Sequence, residues 1–86
     1  MSESIDAVTF YWRGGCGFCM RLGRQLKKRG IPMDKKNIWE NADYAAFVRS
    51  VANGNEVVPT VTIGDVSMVN PSADDVVAVL LSLIHI

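Results

Sequence analysis

The sequence predicts a single α/β domain, a small mixed sheet with helices packed against it. Three observations predict it. Short runs of β-branched and aromatic residues alternate with stretches of helical apolar spacing, in the order βαβ followed by αββα. A Cys-x-x-Cys, Cys16 to Cys19, stands between the first strand-like run and the first helix-like run. The chain has 86 residues, which is one domain (residues 1–86) with a small core, and its hydrophobic fraction of 49% is enough to fill that core.

Taken in order, Ala7 to Trp12 reads as strand 1, closed by Gly14-Gly15. Helix 1 is expected from Cys16 to about Arg29, with Cys19, Leu22 and Leu26 repeating at helical spacing. Gly30 is a plausible left-handed stop and Pro32 prevents continuation. Strand 2, Met33 to Ile38, is weak by pattern because Lys35 and Lys36 interrupt it. Asn41 caps helix 2, whose Tyr44, Phe47, Val48 and Val51 form an i, i+3, i+4, i+7 stripe, and Asn53-Gly54-Asn55 ends it. Val57 to Ile63 reads as an entry loop and strand 3, Gly64-Asp65 as a two-residue turn, and Val66 to Val69 as strand 4 of a hairpin.

Asn70-Pro71 breaks that strand, and Ser72 with Asp75 three residues on forms a capping box for helix 3. The run Val76 to Leu81 is apolar nearly all round and rich in β-branched residues, so propensity alone also allows a strand. The cap and the acidic first turn favour helix. The end of the chain, Leu83 to Ile86, has no closing cap or basic residue; a truncation and a non-native scar both remain open.

Nine basic and nine acidic residues give zero formal net charge, so nothing global points to nucleic acid or to an anionic membrane. The start of the chain, Met1 to Asp6, carries acids and no apolar stretch, unlike a secretory signal, and no apolar run reaches the length of a membrane span. The expected setting is a reducing cytoplasm, where a Cys-x-x-Cys beside a βα unit reads as catalytic.

The chemistry follows from the position of the two sulfurs. At the start of a helix, unpaired amide N–H groups and the positive end of the helix dipole face Cys16 and favour its thiolate. A free cysteine ionises at about 8–9, and a helix N-terminus draws that value down. The thiolate is the nucleophile in disulfide exchange, so Cys16 is the residue expected to react. Residues i and i+3 on a helix are neighbours, which puts Cys19 within disulfide reach, and Gly17 is expected to let the backbone tighten there without a Cβ clash. Zinc needs more ligands than two cysteines and the distant His85 provide, and a structural disulfide here would close a tiny loop and constrain little. Redox chemistry therefore ranks above both.

Between Cys16 and Gly30 stand five basic residues (Arg21, Arg24, Lys27, Lys28, Arg29) and no acid, with Arg13 three residues before Cys16. Lys27, Lys28 and Arg29 read as a solvated helix end complementing the dipole. Arg13 and Arg21 are the better candidates for a role near the sulfur. Trp12 reads either as core packing or as a substrate platform.

Three motifs in order, Cys16-Gly17-Phe18-Cys19, Val58-Pro59-Thr60 and Asn70-Pro71-Ser72-Ala73-Asp74-Asp75, resemble those of the glutaredoxin family, over a stretch from about Val8 to Leu81. Within it the chain looks most like the mycoredoxins, small bacterial glutaredoxin-like proteins that use mycothiol. The resemblance implies a thioredoxin-like fold of four strands and three helices. It implies a cis Pro59 beside the sulfurs, with the Val58 backbone bonding a bound small thiol. It also implies that the opening of the last helix, Ser72, Asp74 and Asp75, grips a charged end of that thiol; the plainer role for these three is a helix cap with dipole-favoured acids. Phe18 and Arg13, the latter from the charge pattern, complete the expected thiol-binding set.

The implied activity is reduction of mixed disulfides between proteins and a low-molecular-weight thiol, by a monomer. Its partners would be the small thiol, S-thiolated proteins and a reductase for the thiol, with no metal or organic cofactor, nucleic acid or membrane. Two departures stand out: many relatives have an aromatic residue where this chain has Gly15, and Trp12 and Arg13 occupy positions that are often small or polar. Two alternatives stay open. One is an iron–sulfur cluster carrier, matched by Gly17-Phe18 but not by Cys19. The other is a thioredoxin-like donor reduced directly by a flavoprotein reductase, against which the missing Trp-Ser-Gly-Phe segment counts.

Overall fold

The structure, a computed structural model, describes residues 8–84. The acidic start of the chain and His85 lie outside them. The elements are β1 (Val8–Trp12), α1 (Gly17–Lys28), β2 (Asp34–Asn37), α2 (Ala42–Val51), β3 (Thr60–Ile63), β4 (Val66–Val69) and α3 (Ala73–Ile84). The four strands form one mixed sheet in the order β2-β1-β3-β4. β1 pairs parallel with β2 and antiparallel with β3, and β3 pairs antiparallel with β4. This is the thioredoxin-like arrangement that the motifs imply.

The side-chain alternation of the central strands divides the core into two layers. Val8 and Phe10 of β1, with Val61 and Ile63 of β3, bury against Cys19, Leu22 and Leu26 of α1 and Ala73 and Val76 of α3. Tyr11 points to the other side, where Ile38, Ala45, Val48 and Ala52 enclose it and the Phe47 ring stacks on it at 5.0 Å. Burying these side chains is the main stabilisation, at roughly 25 cal/mol per Å² of apolar surface.

β2 is the weak strand for a physical reason. It is an edge, its sequence Asp-Lys-Lys-Asn is half exposed, and only its parallel register with β1 makes it a strand. Charged residues on an exposed edge also discourage pairing with a second chain. The observed strand is shorter at both ends than the expected Met33 to Ile38.

α3 is a helix, which settles the ambiguity of the apolar run. Ser72 Oγ accepts from the Asp75 N–H and the Asp75 carboxylate accepts from the Ser72 N–H, both at 3.0 Å, so the capping box forms in both directions. The Asn41 side chain caps α2 as expected, accepting from the Asp43 N–H at 2.8 Å.

Candidate functional site

The site forms where β1 ends and α1 begins. Gly15 sits at φ +73°, the left-handed region that an aromatic side chain would occupy only under strain. This accounts for glycine where many glutaredoxins carry an aromatic residue. The turn delivers Cys16 as the N-cap of α1, in extended conformation, rather than as a residue of the first helical turn. Its sulfur takes the capping role, accepting the Cys19 N–H at 3.2 Å. That contact sets a main-chain donor on the sulfur at the N-terminal end of α1.

Cys16 is 6% exposed and Cys19 1%. Both are free thiols, and Cys19 packs with Leu22 and Leu26 as the helical spacing requires. Burial pushes the Cys19 thiol up to about 12, with the hydrogen bond to Cys16 adding to the effect. Both sulfurs are therefore buried, the first held by a main-chain donor and the second kept protonated. Gly17 does not have its expected role: a Cβ there would meet open space, so no steric clash requires glycine.

The opposite wall comes from the loop before β3. Val58–Pro59 is cis, as the family resemblance implies. The Cys16 thiol points at the Val58 carbonyl, a long sulfur contact of 3.8 Å. Thr60, fully buried, donates its hydroxyl to the Val57 carbonyl at 2.7 Å and fixes the loop. The Pro59 carbonyl accepts the Asn70 N–H at 2.8 Å, which ties the end of β4 to the same place.

Between these walls runs an open groove. Phe18, Arg21, Leu22 and Gln25 line its α1 side, and Pro59, Asn70, Pro71 and Ser72 line the other. The expected residues Phe18, Pro59 and Ser72 thus come together, and Phe18 is 70% exposed. Asp74 and Asp75 do not line the groove. Asp75 serves the α3 cap, and Asp74 pairs with Arg29 at 3.0 Å. Arg13 does not line the groove either; its guanidinium lies 5.4 Å from the ring centre of Trp39, and its backbone and charge act on the Cys19 thiol, where they partly oppose the upward shift. Trp12 packs against the core. Arg21, a candidate from the charge pattern, lines the groove; Gln25 and Asn70 join it, and the helical offset of 18, 21 and 25 is the signal that places Gln25 beside Phe18.

Residues 8–68 match the glutaredoxin family model. Two Mycobacterium tuberculosis proteins, described as candidate glutaredoxins in strains H37Rv and CDC 1551, are each 44% identical over 78 residues, covering 90% of this chain and 93% of theirs. The glutaredoxin-like NrdH-redoxin of Escherichia coli superposes with a TM-score of 0.69 at 25% identity, over 93% of this chain and 96% of that one. A glutaredoxin of Archaeoglobus fulgidus superposes with a TM-score of 0.63 at 23% identity, over 91% and 85% of the two chains. With sequence, fold and the paired sulfurs in accord, the chain belongs to the glutaredoxin family of thiol–disulfide oxidoreductases.

Proposed function

We propose that the protein reduces mixed disulfides between proteins and a low-molecular-weight thiol, with mycothiol as that thiol. The observation that carries the reading is the groove from Phe18 to Ser72, which is lined by Phe18 of the Cys16–Cys19 turn and by Pro59, the residue after Val58, whose carbonyl meets the Cys16 thiol. The kinship to mycobacterial proteins and the Asn70-to-Asp75 match to mycoredoxins support mycothiol.

The Cys16 thiolate attacks the small-thiol sulfur of the mixed disulfide. The protein sulfur leaves with the electron pair of the broken S–S bond and takes up a proton. Cys16 then carries the small thiol. The thiolate of a second small-thiol molecule attacks that thiol's sulfur, forms the small-thiol disulfide and returns Cys16 as thiolate. Cys19 offers a second exit, attacking Cys16 after losing its proton and releasing the small thiol. Once Cys16 has ionised, the Val58 carbonyl no longer receives the S–H and is free to accept an N–H of the bound thiol. Two electrons pass per turnover, and a reductase of the small-thiol disulfide restores the pool. The small thiol is a co-substrate, and the cycle needs neither a metal nor an organic cofactor.

The likeness to the E. coli NrdH-redoxin, whose structure is described in terms of a thioredoxin-like activity profile, favours a second reading: a donor reduced directly by a flavoprotein reductase. One assay separates the two. Turnover of a model mixed disulfide is measured with mycothiol and its reductase, with glutathione and its reductase, and with thioredoxin reductase alone. The mycothiol system is expected to be fastest. Equal or faster turnover with glutathione would remove mycothiol and keep the family chemistry, and turnover with thioredoxin reductase alone would establish the second reading.

A further inference from the structure

A second hollow lies on the other side of α1 from the thiol groove. Phe10, Trp12, Cys19, Met20, Gly23 and Lys35 line it. Cys19 gives it a sulfur wall, Phe10 and Trp12 an apolar one, and Met20, half exposed, stands at its edge. The mechanism above makes no use of it.

Gly23 is the informative residue. A glycine inside a helix costs about 1 kcal/mol relative to alanine. Here neither backbone nor packing requires it. Its φ is not positive, and a Cβ would meet the Phe10 ring at 3.7 and 3.8 Å, ordinary contact distances. A longer side chain would stand in the hollow. The glycine therefore keeps an apolar space open at the expense of helix stability.

The surroundings are cationic. Lys35 lines the hollow, and Lys27 shares the helix face of Met20 and Gly23. Among the described residues the ion pairs are Arg29–Asp74, Lys36–Asp34 and Arg49–Glu56, which leaves Lys27 and Lys35 without a carboxylate. An apolar floor with Lys35 in its lining and Lys27 on the same helix face complements an apolar side chain flanked by carboxylates. Nucleic acid or anionic lipid headgroups would use the cations but not the floor.

We infer that this hollow docks the protein half of the substrate, and that it selects protein segments bearing an apolar side chain between acidic residues near the thiolated cysteine. The inference rests on the mixed-disulfide reading. The two depressions flank one helix, so the small thiol on the Pro59 side and the protein on the Trp12 side can be held together at the Cys16–Cys19 turn.

The test uses S-thiolated peptides with Asp-Leu-Glu, Lys-Leu-Lys or Asp-Ser-Glu, set at several short spacings from the cysteine. A small symmetric disulfide is measured alongside. Wild-type protein is expected to show a KM about tenfold lower for the best Asp-Leu-Glu peptide than for either alternative. Gly23→Met, which fills the hollow, and Lys35→Glu, which reverses its rim, should each erase that preference while leaving turnover of the small disulfide intact. Lys35→Glu changes an exposed side chain, so it carries the test if Gly23→Met perturbs the fold. Equal KM values for the three peptides, or a preference surviving both variants, would overturn the inference. So would binding to phosphatidylserine vesicles that Lys35→Glu abolishes, in the absence of any peptide preference. Failure of wild-type protein to turn over the small disulfide would instead overturn the mixed-disulfide reading itself.

Discussion

The backbone N–H of Cys19 donates to the Cys16 sulfur at 3.2 Å, so the residue proposed to resolve the reaction also holds the proposed nucleophile. The donor is main chain, and it survives any change of the Cys19 side chain. The Cys19 thiol contributes differently: burial raises it to about 12 and keeps its proton in place at neutral pH. Position in the helix and depth in the core thus divide two identical side chains into two roles.

The cysteines should therefore fail differently when replaced. Cys16→Ser is expected to lose all turnover. Cys19→Ser keeps the N–H donor and should retain most activity on small-thiol mixed disulfides while losing reduction of protein disulfides. Steady-state assays on both substrate types check this, and equal loss in the two variants on the mixed disulfide would exclude the monothiol route.

Burial of Cys19 also sets a pH dependence of stability. Its ordinary value of 9.0 rises to about 12 in the fold. Below about 9 both folded and unfolded chains hold the proton, and the full stability is present. Between 9 and 12 the unfolded chain has lost it and the native one has not, so stability declines as pH rises, by at most about 1.4 kcal/mol per pH unit from this group. Tyr11, whose phenol burial also raises, adds a decline of the same sign from 10.0 upward. Chemical unfolding of the reduced protein across that range should show a shallower slope for Cys19→Ala than for wild type; identical slopes would contradict the assignment.

The start of α3 allows a cap to be told from a thiol contact. Ser72 both caps the helix and lines the groove, whereas Asp75 serves the cap alone. Ser72→Ala should lower stability by about 1 kcal/mol and raise the KM for the small thiol. Asp75→Ala should lower stability without the KM change. Asp74→Ala removes only an exposed pair with Arg29, worth about 0–1 kcal/mol. Thermal melts and KM measurements together separate the three, and a raised KM in Asp75→Ala would return that residue to the thiol site.

Much of this was legible in the chain. The β4 bounds, Val66 to Val69, follow from Gly64-Asp65 on one side and Asn70-Pro71 on the other, because turn chemistry is local. The α2 stripe and the Asn41 cap are local too. β2 was faint because its strand character comes from pairing with β1 and not from its own residues. The fate of Arg13 was not readable at all. It depends on Trp39, which lies beyond α1 and β2 in sequence and meets Arg13 only once the sheet forms. Asp74 and Asp75 look like a ligand grip in one dimension, yet the neighbouring Ser72 backbone engages Asp75, and Arg29, at the distant end of α1, engages Asp74.

Among the described residues Arg21 is the groove's one charged lining residue, and it supplies a test of thiol choice. Glutathione carries two carboxylates, which an arginine can pair with directly. Mycothiol carries a sugar–inositol body with hydroxyls and no free amino-acid carboxylate, so Arg21 meets it with ordinary hydrogen bonds. Hydrogen bonds to charged groups contribute about 1.5–3 kcal/mol, and neutral ones about 1. Arg21→Ala should then raise the KM for glutathione by about tenfold or more, and the KM for mycothiol several-fold at most. With mycothiol as the working thiol, the variant widens the preference that wild type already shows. The measurement is KM for both thiols, each with its own reductase, in wild type and variant. A larger loss with mycothiol than with glutathione would mean that Arg21 is a mycothiol contact and that charge pairing does not set the choice.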